Sequence, residues 1–70
     1  MSKPITVYQP SPSGGRRVRV DGEILGLAHD LRDVAAYLRR AGLEMDEDDV
    51  AASPLIDWRG GGPGVWPAPW

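Results

Sequence analysis

The period of the hydrophobic positions changes along the chain, and each change marks an element. Ile5 and Val7 alternate with Thr6 and Tyr8, and the run reaches Gln9 and stops at Pro10, which reads as a short strand. The segment 10-PSPSGG-15 is rich in residues that fix or free the backbone and predicts a loop. Alternation resumes in 16-RRVRV-20, with Val18 and Val20 on one face and Arg17 and Arg19 on the other. Two such runs joined by a loop predict a half-buried antiparallel hairpin with arginines outward. Asp21-Gly22 is a strong turn signal and leaves two continuations open. In one, 23-EILG-26 returns along 17-RVRV-20 as a third strand. In the other, the turn launches a helix.

From there the spacing lengthens to three and four. Ile24, Leu27, Ala28, Leu31, Val34, Ala35 and Leu38 fit one face of an amphipathic helix, with a secure span of about 28 to 41. Asp30 and Asp33 place negative charge near the exposed amides of its start, and Arg39 and Arg40 place positive charge at its end. Gly42 followed by Leu43 has the form of a Schellman stop, with Leu43 folding back toward Leu38. A second, shorter helix of about 47 to 52 is predicted by Asp46 as N-cap, Asp49 three residues later, Met45 facing Val50 as a staple, and Ser53-Pro54 as the stop. The run 55-LIDW-58 is strand-like, with Leu55 and Asp57 pointing one way and Ile56 and Trp58 the other. No internal repeat is visible.

The fold class that follows is α+β: a small domain with a two- or three-stranded antiparallel sheet, packed by one main helix and a short second helix. The domain is expected over 1–59. Residues 60–70 form a Gly/Pro/Trp-rich C-terminal arm.

Composition sharpens this in three ways. At 70 residues the chain is one domain at most, and it holds no cysteine and one histidine, so neither a disulfide nor a thiolate–imidazole zinc site can staple it. Stability must then come from a small core, self-association or a partner. No apolar run approaches a membrane span and no secretory pattern opens the chain, so a cytoplasmic setting without membrane contact is expected. Charge is divided as well. Residues 1–40 carry seven basic and four acidic side chains, while residues 41–70 carry six acidic ones and only Arg59. Such a dipole favours an oriented contact with a protein, or head-to-tail self-association, over a broad phosphate-binding face.

Candidate chemistry is sparse. His29 and Asp33 share a helical face, but no nucleophile stands with them; Ser2, Ser11, Ser13 and Ser53 lie in loops or at the terminus. The acidic run 44-EMDEDD-49 offers calcium spacing at Asp46, Asp48 and Asp57 only, with Ala51 where the loop needs glycine. Neither 60-GGGPG-64 nor Gly14-Gly15 has a phosphate-loop context. A helix–turn–helix over 30–52 would present Asp46, Glu47, Asp48 and Asp49 to the DNA backbone, which repels them. No motif ties the chain to a family, and no cofactor or metal is expected.

The tail, 58-WRGGGPGVWPAPW-70, carries all three tryptophans. In one reading, Trp58 and Trp66 fold back over the domain, and the triple glycine permits the return. In another, residues 63–70 form a proline-stiffened arm that docks into a partner or a sister subunit. The function expected is that of a small non-enzymatic accessory or regulatory protein. It acts by binding another protein or itself, through Trp58, Arg59, Val65, Trp66 and Trp70. The alternatives are a nucleic-acid-binding regulator using Arg16, Arg17 and Arg19, and a precursor of a ribosomally made peptide.

Overall fold

A computed structural model describes residues 3–66. The elements follow in the order β1 (Ile5–Val7), β2 (Arg16–Val20), β3 (Glu23–Ala28), α1 (Leu31–Arg40), α2 (Glu47–Ala52) and β4 (Ile56–Trp58). The four strands form one mixed sheet in the order β3-β2-β1-β4. β1 pairs antiparallel with β2, and β2 antiparallel with β3, while β4 returns after the helices to lie parallel to β1. The protein is therefore a small α+β domain, as its pattern predicts, but the sheet has four strands and is mixed where two or three antiparallel strands were expected. The strand-like 55-LIDW-58 run joins it through the parallel pairing, with Ile56 opposite Ile5 and Trp58 opposite Val7.

The Asp21-Gly22 turn settles the two continuations in favour of a hairpin. Both residues have positive φ, 49° and 87°, the geometry of a tight two-residue hairpin turn, and Val20 pairs with Glu23 across it. The helix accordingly starts later than its apolar spacing suggests. Asp30 caps it by accepting the backbone N–H of Asp33 at 2.9 Å, so Ile24, Leu27 and Ala28 are strand residues. The spacing was shared by two elements meeting the same core from different directions. The other end closes as expected: Leu43 N–H donates to Leu38 O at 2.8 Å and Gly42 N–H to Arg39 O at 3.0 Å, the two bonds of a Schellman motif. α2 carries a full capping box between Asp46 and Asp49.

Both helices lie on one side of the sheet. Ile5, Val7, Val18, Val20, Ala28 and Ile56 from the strands meet Val34, Ala35, Leu38 and Val50 from the helices in one buried cluster. Among the described residues, no helix covers the opposite face of the sheet. Thr6 and Arg19 lie opposite each other there, with Asp57 next in line on β4.

A bulge in β3 decides what else that face shows. Arg19 pairs with Ile24 and Val18 with Gly26, so Leu25 is the extra residue. Without it, Ile24 and Leu27 would point to opposite faces. With it, both point away from the helices, 51% and 39% exposed. Gly26 is required for this path: its φ is 152°, and a Cβ there would stand 2.6 Å from the Tyr37 hydroxyl. That hydroxyl in turn donates to Leu27 O at 2.9 Å, tying α1 to the bulged strand.

Candidate functional site

Two regions stand out, one on each side of β2. The first is a clasp around Arg16. Alternation along β2 puts Arg16 on the same face as Val18 and Val20, and it is the largest fully buried side chain among the described residues. All five guanidinium N–H donors are used, each by a backbone carbonyl. Nε donates to Tyr8 O at 2.8 Å. One terminal nitrogen donates to Gly62 O at 2.8 Å and Val65 O at 2.9 Å, and the other to Arg59 O at 2.9 Å and Gly61 O at 2.8 Å. The rings of Trp58 and Trp66 complete the enclosure, with centroids 5.4 and 5.3 Å from the guanidinium carbon. The two rings meet edge to face at 6.4 Å. No carboxylate lies within ion-pair distance of Arg16 among the described residues. The positive charge is balanced by carbonyl dipoles and two ring faces, and burial pushes the guanidinium pKa down from its ordinary value.

The tail follows a defined path into this clasp. Arg59 N–H donates to Val7 O at 2.9 Å, carrying the β1–β4 pairing one residue beyond the strand. Gly60 and Gly61 then take φ of 75° and 136°, and a Cβ on Gly60 would fall 2.4 Å from the Cβ of Gln9. Only glycine brings the chain so close to the β1 end while turning its carbonyls inward. A turn over 62–65 follows, with Val65 N–H on Gly62 O at 3.2 Å and Pro63 at the second position, where its fixed φ fits. Trp66 is pinned by its indole N–H, which donates to Pro63 O at 2.7 Å.

Residues 63–66 are thus folded back as a turn against the chain's own domain, as in the reading that returns Trp58 and Trp66 over it rather than the one that extends residues 63–70 as an arm, and Arg16 takes carbonyls from both sides of that turn. Trp58 and Trp66 pack against the core. Val65 remains 46% exposed and Arg59 is exposed. Trp70 lies outside the described residues.

Arg16 also departs from the expectation of outward arginines. Its guanidinium is saturated internally and offers nothing to a phosphate, whereas Arg17 and Arg19 do face outward. The signal was present in the alternation of β2, which groups Arg16 with the valines. What it lacked was any indication of where a buried guanidinium would find five acceptors.

The second region is the open sheet face. Tyr8 sits near its centre: its hydroxyl is 3.2 Å from Arg19, and the Arg59 guanidinium stands 5.7 Å over its ring. Arg59 also pairs with Asp57 at 3.0 Å. Two grooves open here. One of about 490 Å³ runs between Tyr8, Pro10, Pro12, Arg17 and Ile24. The other, of about 440 Å³, is lined by Lys3, Thr6, Arg19 and Arg59, with Asp21 and Gly22 at the hairpin end. Lys3, Arg17 and Arg19 make no ion pair among the described residues. Sequence reading missed Tyr8, Ile24 and Leu27 as members of one surface with these cations, since only the sheet order and the bulge join them.

The His29–Asp33 pair is structural. The Asp33 carboxylate accepts the His29 backbone N–H at 2.9 Å, and the imidazole stands beside it at 3.6 Å, exposed. Among the described residues no group of three or more His, Cys, Asp or Glu side chains could hold a metal ion, and no helix is long and apolar enough to cross a membrane. Comparison with protein-family models, curated proteins and solved structures finds no match to this chain.

Proposed function

We propose that the protein is a small non-enzymatic accessory or regulatory module, cytoplasmic in setting, that works by binding another protein through the open face of its sheet. The observation that carries this is the bulge-directed exposure of Ile24 and Leu27 beside Arg17 and Arg19. Adjoining apolar side chains and unpaired cations on an open face give a contact both area and orientation. Arg59, Tyr8 and Lys3 extend the surface, and Val65 borders the clasp. Trp58 and Trp66 support it indirectly, by holding the end of β4 and the turn in place around Arg16.

The test is site-specific photo-crosslinking in the native host, with the probe at position 24 and a control probe at Ala36 on the exposed side of α1. A discrete protein adduct from position 24, lost in Arg17→Glu/Arg19→Glu and absent from the control, supports the reading. Equal labelling from both positions sinks it.

A nucleic-acid reading is favoured by one observation, the four cations Lys3, Arg17, Arg19 and Arg59 against Asp57 and, at the hairpin end of the groove, Asp21 on this face. A mobility shift with single-stranded RNA or DNA that weakens steeply with salt is its signature.

A further inference from the structure

The chain contains its own complement to the basic face. Glu44, Asp46, Glu47, Asp48 and Asp49 are all exposed around the start of α2, and no cation pairs with them among the described residues. α2 packs on α1, on the far side of the sheet from Arg17 and Arg19, so the two fields cannot neutralise each other within one copy. A protein with eight basic and ten acidic side chains forms a single Arg–carboxylate pair, Arg59–Asp57, among its described residues. Like charge also prevents the basic face from docking on the same face of another copy. A long polyanion fits poorly, because the carboxylates around the start of α2 repel any stretch of it that reaches past this small face toward them. A short acidic patch on a protein fits the size and sign of the grooves.

We propose that the open sheet face of one copy receives the acidic start of α2 from a second copy, head to tail. The exposed carboxylates of Glu47 and Asp48 enter the groove between Lys3, Thr6, Arg19 and Arg59, and Ile24 and Leu27 stand beyond Arg19 and Arg17 on β3 as an apolar flank outside it. Asp46 and Asp49 are held by the capping box and contribute charge without moving. Donor and acceptor surfaces lie on opposite sides of the molecule, so the contact is heterologous and propagates beyond a dimer unless the rotation closes a ring. The domain measures 32 × 24 × 19 Å between Cα extremes, which confines the contact to the small, transient class of interface. Salt therefore weakens it strongly.

This rests on the sheet face being a docking surface, and the experiment separates the two ideas. Sedimentation of the full chain is measured over concentration and salt for the wild type, Arg17→Glu/Arg19→Glu, Glu47→Lys/Asp48→Lys, and an equimolar mixture of the two variants. Circular dichroism checks that each variant is folded. The wild type is expected to rise above monomer mass at low salt and return to it at high salt. Each variant alone is expected to associate at least tenfold more weakly, since its two surfaces now repel. The mixture is expected to recover association, because each variant then meets an opposite charge. A wild type that stays monomeric at every concentration and salt overturns the second copy as partner. If the position-24 crosslink to another protein persists in that case, the docking face itself survives. A salt-sensitive complex with single-stranded DNA or RNA, lost in Arg17→Glu/Arg19→Glu, overturns the choice of an acidic protein surface.

Discussion

Arg16 and Arg17 are adjacent in the chain and opposite in the fold. Arg16 points to the same side of the sheet as Val18 and Val20, where the tail closes over it, loses all contact with solvent and binds five carbonyls. Arg17 points to the open face, exposed and without an ion pair among the described residues. One residue of pleat separates a cation that organises the fold from a cation left free for contact. The clasp around Arg16 recruits the tail into the domain by hydrogen bonding, and the face around Arg17 keeps its charge unspent. A guanidinium suits the first task because its planar fork offers five donors in fixed directions, which a lysine cannot match.

The comparison is broken most directly at Arg16. Arg16→Ala leaves the carbonyls of Tyr8, Arg59, Gly61 and Val65 without their guanidinium donor, Gly62 O keeping only the Val65 N–H, and opens the space between two indoles, at an expected loss of at least about 3 kcal/mol. Because this variant can fail to fold, Arg16→Lys is the finer probe, with about 2 kcal/mol lost as five forked donors become three. Urea unfolding followed by tryptophan emission measures both, and equal costs at Arg16 and Arg17 would contradict the distinction. Trp66→Ala is expected to cost about 2 kcal/mol through the lost ring contact over a desolvated cation, read from the same unfolding curves.

On the other side of β2, Gly26→Ala drives a Cβ against the Tyr37 hydroxyl and is expected to cost about 2 kcal/mol. Its amide spectrum should show β3 disturbed and the exposure of Ile24 and Leu27 changed together. Asp46→Ala removes the cap of α2, for about 1 kcal/mol by thermal denaturation. The smallest effect belongs to Arg17→Ala, expected within about 0.5 kcal/mol of the wild type. A larger loss would mean that the open face is also structural.

Much of the architecture was legible from the chain. The cap at Asp46, the Schellman stop at Leu43 and the short span of α2 are local events, written in residues within a few positions of each other. The Asp21-Gly22 turn was equally legible as a turn. Its consequence was not, since Ile24, Leu27 and Ala28 satisfy a helical period as well as a bulged strand. The tail was the least legible part. Its glycines announce a reversal, but the reason for the reversal is a side chain more than forty positions earlier.

By itself, then, the sequence determined the kind of every element but β3, several of their ends, the α+β class and the separation of basic from acidic charge. Each of these depends on interactions within one turn of helix, one strand or one hairpin, or on composition alone. Only the tertiary structure decided that β4 would lie parallel to β1, that Arg16 would become the hub of the tail, and that Ile24 and Leu27 would share a face with Arg17 and Arg19. Those outcomes depend on contacts between segments far apart in the chain. A buried cation in particular is fixed by where distant carbonyls converge, and no local pattern records that.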